Sequence, residues 1–135
     1  MNDCLFCKII AGEVPSYKVY EDSYAYACLN IYPKTKGHTL VVPKKHYTCF
    51  TDMSEEYVQD FMRSMHKIAK IVKEYGEGLN ILQNEGTVSG QTIFHSHFHL
   101  IPRREQDGVV ILDSDNLDKV DFDAILADLK SLLKA

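Results

Sequence analysis

The stretch that most constrains the fold is Gly90-Gln91-Thr92-Ile93-Phe94-His95-Ser96-His97-Phe98-His99-Leu100-Ile101-Pro102. Side chains on a β-strand alternate between faces, so a strand here sends His95, His97 and His99 to one side and Phe94, Phe98 and Leu100 to the other. Successive imidazoles then lie ~6.5 to 7 Å apart, two strand residues along. That spacing suits flanking one small anion better than holding a single metal ion with all three rings. Imidazole is costly to bury without partners, so three in a row argue for a site rather than for packing. The preceding residues, 84–92, are rich in glycine and small polar groups and can turn backbone N–H groups toward an anion.

The rest of the chain has to supply a fold for that row. Its 135 residues, 45% of them hydrophobic, are read as one domain spanning 1–135 with a core of its own. The balance of 15 basic against 19 acidic residues, net charge -4, argues against a protein that coats nucleic acid. No apolar run approaches the ~18 residues of a membrane span and no leader pattern is visible, so a cytoplasmic protein without membrane association is expected. In that setting the four cysteines, Cys4, Cys7, Cys28 and Cys49, are thiols or metal ligands rather than disulfide partners.

In chain order, a short helical turn carrying Cys4-Leu5-Phe6-Cys7 stops at Gly12. Two β-biased runs, 17–21 and 24–29, meet at Asp22-Ser23 as a hairpin. A loop leads to a buried-type strand, 38–43, ended by Pro43 and followed by Lys44-Lys45-His46. From a Ser54 cap, apolar residues at helical spacing from Val58 to Tyr75 mark the long helix. A strand over 79–84, the polar turn and the histidine strand follow, and a last amphipathic helix is capped by Asp121. His66, alone on the long helix, is assigned no chemistry. The fold class expected is α+β, with a largely antiparallel sheet, one long helix and a C-terminal helix.

His95-Ser96-His97-Phe98-His99-Leu100-Ile101 resembles the signature of the histidine triad (HIT) superfamily, with Ser96 standing where an apolar residue is usual. Cys4 to Ile10, Lys18 to Asp22, Gly37 to Lys44, Asn84 to Gly86 and Gly90 to Arg103 also resemble segments of its Hint-like branch. The resemblance thus covers a motif-bearing core, 4–103, and leaves a C-terminal extension with a helix, 104–135. It implies a HIT-like fold and a hydrolase or transferase that cleaves an α-phosphate linkage of a purine nucleoside monophosphate derivative, a phosphoramidate or a dinucleoside polyphosphate. By the same resemblance His97 is the nucleophile that forms a nucleotidyl-histidine, His99 contacts the phosphate and leaving group as an imidazolium donor, and His38 supports the nucleophile's orientation. A neutral imidazole, with an unperturbed pKa near ~6.5, is a competent nucleophile at neutral pH.

Asn84, Gln91 and Thr92 match the family's phosphate contacts, with ordinary turn chemistry as the alternative. Leu5, Phe6, Ile9, Leu29 and Ile31 match its purine pocket, or are ordinary core. Asn30 stands where many Hint-like proteins carry an Asp for the ribose hydroxyls, offering one acceptor and one donor group instead. The family further implies a homodimer and one structural zinc ion per chain, on Cys4, Cys7, His46 and His95; thiolate and imidazole together favour that metal. Two other classes of function use the same residues. A nucleotide-binding scaffold with little turnover needs the same pocket, and a Cys-x-x-Cys thiol oxidoreductase needs Cys4 and Cys7, though no strand precedes them.

Overall fold

A computed structural model describes residues 3–111 and 117–134. Helix α1, Leu5–Ile10, is capped by the Cys4 thiol, which accepts from the Cys7 N–H. Strands β1, Lys18–Glu21, and β2, Ala25–Leu29, form the expected hairpin. Asp22 makes its turn by accepting from the N–H groups of Tyr24 and Ala25 at 2.8 and 2.9 Å. Strand β3, Thr39–Pro43, leads to helix α2, Glu55–Glu74, whose Ser54 cap accepts from Tyr57 N–H. Strands β4, Gly78–Gln83, and β5, Phe98–Arg103, follow, then helix α3, Phe122–Leu133, with Asp121 as its cap.

The strands form one sheet in the order β1-β2-β3-β5-β4, antiparallel at every pairing. This is an α+β fold, and strand alternation divides its two faces. Ala25, Ala27, Val41, Phe98 and Leu100 point toward α2 and bury against Phe61, Met65 and Ile68. Tyr26, Cys28 and Val42 point the other way and pack on Phe6 of α1. His99 shares this second face, between Leu40 of β3 and Leu82 of β4. Helix α3 buries none of its residues. No described helix is long and apolar enough to cross a membrane.

The histidine strand is shorter than its sequence suggests. The last β3–β5 pair is Val41 with Phe98, so His95 and His97 precede the strand in a bent segment and only His99 lies within it. Continuing the ladder would bring Pro43 opposite Ser96, and proline has no N–H to offer. The Pro43 carbonyl instead accepts from the His95 ring at 2.8 Å, while Ser96 N–H donates to Tyr47 O at 2.6 Å. The three imidazoles therefore do not form one row.

Candidate functional site

His97 and His99 line a cavity of about 330 Å³ on the face away from α2. Each ring's neighbours fix its proton. His97 Nδ1 lies 2.8 Å from the His95 carbonyl and must carry a hydrogen to be satisfied there, which leaves the Nε2 lone pair free. His38 Nδ1 receives the Lys34 N–H at 3.0 Å, so the His38 proton is on Nε2, which donates to His99 Nδ1 at 2.9 Å. His99 consequently keeps its own proton on Nε2. One nucleophilic nitrogen and one N–H donor result, on rings whose centroids are 5.2 Å apart. Phe6 packs against His97 at 5.1 Å between centroids and limits its rotation.

These rings are neutral at pH 7. Burial holds His38 at about 4, with Lys34 adding to the effect. Burial, then the neighbouring His97, His38 and Lys34, hold His99 at about 4. Burial also lowers His97, although its bond to the His95 carbonyl works in the opposite direction. Where an imidazolium is expected at His99, the fold holds a neutral N–H donor.

A stability prediction follows from the His38–His99 pair. Unfolded histidine takes its proton near ~6.5, well above the folded value, so the unfolded state binds more protons in between. The pair's contribution is complete above the unfolded pKa and is lost as pH falls from about 6.5 toward 4. Each ring alone would lose about 2 kcal/mol between pH 7.5 and 5, and because solvent screening discounts both, equilibrium unfolding should show a loss of roughly 2 to 3 kcal/mol for the pair. A shallower slope in His99→Asn is expected, whereas a wild-type protein that gains stability on acidification would contradict these proton positions.

Asn84, Gly90 and Thr92 approach the cavity from one side, Asn30, Tyr32 and Lys34 from another. Asn30 Oδ1 accepts from Tyr32 N–H at 2.8 Å, so the group it turns toward the histidines is Nδ2, 3.4 Å from His38 Nε2. A donor stands where a carboxylate would offer acceptors. Leu5, Phe6, Ile9, Leu29 and Ile31 line an adjoining apolar pocket of about 190 Å³. Phe6, Asn30, Tyr32, Leu40 and Ile93 border both spaces. Tyr32, Lys34, Leu40, Leu82 and Ile93 escaped the sequence reading. Lys34 alone carried a signal, as a cation four residues before His38. Gln91 does not line the cavity: it is 2% exposed and bonded elsewhere. His66 is exposed on α2, away from the site.

Cys4, Cys7, His46 and His95 form a second cluster, their ligand atoms all within 4.8 Å of one another. Cys4 Sγ lies 3.3 Å and Cys7 Sγ 3.6 Å from His95 Nδ1, Cys7 Sγ 3.4 Å from His46 Nδ1, and the two Nδ1 atoms are 3.0 Å apart. Ligand atoms around a tetrahedral zinc stand ~3.4 to 3.8 Å apart, close to these separations. His95 is set as a ligand because its Nε2–H is held by the Pro43 carbonyl, leaving the Nδ1 lone pair toward the thiols. Without a cation the Cys7 thiol is pushed up to about 11 by burial and by Cys4. The donor set fits a metal ion, and among the described residues it is the group of this kind that the fold assembles.

The family model for the HIT domain matches residues 11–106. A HIT-like protein of Methanocaldococcus jannaschii is 46% identical over 128 residues, 94% of this chain and 98% of that one. The adenosine 5'-monophosphoramidase of Saccharomyces cerevisiae is 42% identical over 109 residues, 80% of this chain and 68% of the yeast protein. The crystal structure of a HIT family member from Bacillus subtilis superposes with a TM-score of 0.88 at 38% identity, covering 98% of this chain and 96% of that one. A zinc-bound histidine triad family protein from Mycobacterium smegmatis has a TM-score of 0.73 at 35% identity, covering 97% and 98%.

Proposed function

This chain belongs to the HIT family, and on that premise we propose that it is a nucleotidyl hydrolase or transferase. Its substrate is a purine nucleoside monophosphate linked through its α-phosphate to an amine, a polyphosphate or a similar leaving group. The observation that carries this reading is the free Nε2 of His97 in a cavity shared with the His99 donor and joined to an apolar pocket of about 190 Å³. The yeast relative's name, a monophosphoramidase, supports an amine as one leaving group.

In this reading the purine enters between Leu5, Phe6, Ile9, Leu29 and Ile31, and Asn30 meets the ribose. Asn84, Thr92 and the turn's backbone receive the phosphate, with Lys34 adding positive charge. His97 Nε2 attacks the α-phosphorus, an N–P bond forms and the bond to the leaving group breaks. The His99 Nε2–H donates a hydrogen bond to the leaving group and offsets its developing charge, and the departing group takes its proton from solvent. Water next attacks the phosphorus, the N–P bond breaks and returns its electron pair to His97 Nε2, and the water's proton passes to solvent. His38 holds His99 in the tautomer that this requires.

Cys4, Cys7, His46 and His95 hold one structural zinc ion, which ties the N-terminal turn to the segment that presents His97. The fit of the four ligand atoms and the zinc-bound relative support this assignment. It also employs both thiols that an oxidoreductase would need. The working form is a cytoplasmic homodimer, a reading supported by the edge position of β4 and by exposed Ile71, Tyr75 and Ile81. The deciding experiment compares turnover of AMP-linked amines, acyl groups and polyphosphates with simple binding of AMP. Turnover of at least one class is expected. Tight AMP binding with no turnover in any class would favour a nucleotide-binding scaffold instead.

A further inference from the structure

The sequence places Gln91 between two cavity-lining residues, Gly90 and Thr92, yet its side chain turns inward. There its amide is used from both ends. Oε1 accepts from Gly86 N–H at 2.8 Å, and Nε2 donates to the carbonyls of Thr48 at 2.8 Å and Ile93 at 3.1 Å. An amide supplies one acceptor group and two donor hydrogens, and all are engaged.

Those bonds join three pieces of chain. Gly86 opens the turn with a φ of +84° and Gly90 closes it at +97°, conformations that glycine adopts without strain. Within it, Ser89 and Gln91 N–H groups donate to Gly86 O, and Gly90 N–H to Thr87 O, each at 3.1 Å. The Gln91 side chain closes this loop from behind and fastens it to Thr48, two residues past His46. A second tie lies outside, where Glu85 accepts from both the N–H and hydroxyl of Thr51 at 2.9 and 2.8 Å. The result is a glycine-hinged turn whose position relative to His97 is set by a buried amide.

We propose that Gln91 is a positioning residue that clasps the turn 84–92 in the shape that receives the substrate's phosphate, without touching the substrate itself. The proposal rests on the nucleotidyl reading above for its ligand, and on the hydrogen bonds alone for the clasp. A buried amide with all its bonds made is costly to replace, because the partner groups stay behind unpaired. Small displacements of phosphate-binding groups are costly to catalysis as well, by roughly a hundredfold for ~1 Å.

Gln91→Met keeps the length of the side chain and removes both the acceptor and the donors. Hydrogen exchange at the backbone amides of Gly86, Ser89, Gly90 and the substituted position itself should accelerate at least tenfold, with the amides of β2 and β3 unchanged. AMP should bind at least tenfold more weakly, and kcat/KM for an adenosine phosphoramidate should fall by more than AMP affinity does. Gln91→Asn, one methylene too short to reach both sides, repeats the test in a milder form should the methionine protein not fold. Glu85→Ala, which cuts the outer tie, should move exchange and affinity the same way by a smaller factor. Unchanged exchange in the turn would overturn the clasp. Faster exchange spread equally over β2 and β3 would reduce Gln91 to a general stabiliser, and faster turn exchange with unchanged AMP affinity would end its role in positioning. Wild-type protein that binds no AMP would defeat the nucleotidyl reading, a failure the exchange measurement identifies separately because it needs no nucleotide.

Discussion

His97→Ala should lose turnover by on the order of 10³-fold or more while binding AMP within about threefold of wild type, since the proposed covalent step loses its nucleophile. The cavity itself survives the change. Asn84, Thr92 and His99 approach it from other segments, and the apolar pocket is built mainly from α1 and from the end of β2 with the loop after it. The measurement is single-turnover hydrolysis of an adenosine phosphoramidate alongside calorimetric AMP binding. His97→Gly should be partly rescued by added imidazole, which can occupy the vacated space and attack in the ring's place. Near-wild-type turnover in a clean His97→Ala preparation would rule out a covalent step at this residue.

Cys4→Ser should release the metal and lower thermal stability by about 10 °C, because metal binding to a preformed site counts directly toward folding. Wild-type protein purified without a metal-affinity tag should carry about one zinc ion per chain. The serine variant should carry close to none. Its turnover should fall far less than that of His97→Ala, because His97 keeps its own anchor, the His95 carbonyl, and its contact with Phe6. A wild-type chain that stays metal-free after incubation with zinc would return Cys4 to a thiol that caps α1 and Cys7 to one within it.

Much of this architecture is local in origin, and local signals are readable. The α2 helix announces itself through Ser54 and a regular apolar stripe, and the β1–β2 hairpin through Asp22, because cap, period and turn each depend on a few adjacent residues. The apolar pocket was legible only through family resemblance, since nothing in the spacing of Leu5, Ile9, Leu29 and Ile31 distinguishes a ligand pocket from a core. What could not be read depends on contacts between distant segments. Gln91 follows a glycine in a polar turn and gives no sign that Thr48, 43 residues away, will take its amide. The neutral state of His99 is likewise a property of burial and of His38, 61 residues earlier. The proton positions on the rings follow from backbone groups of Lys34, Pro43 and His95, which no residue pattern encodes.

The interruption of the β3–β5 ladder at Pro43 bears on any attempt to transplant this site. Copying His-x-His-x-His onto an uninterrupted antiparallel sheet would yield three equivalent rings facing one way, with neither a ligand for the cysteine cluster nor an oriented nucleophile. The portable unit is the triplet together with a partner strand whose pairing reaches the third histidine and ends before the other two. A missing N–H and a freed carbonyl at one proline divide three identical side chains between the cysteine cluster and the cavity, and a graft that omits the stop would carry over the side chains without that division.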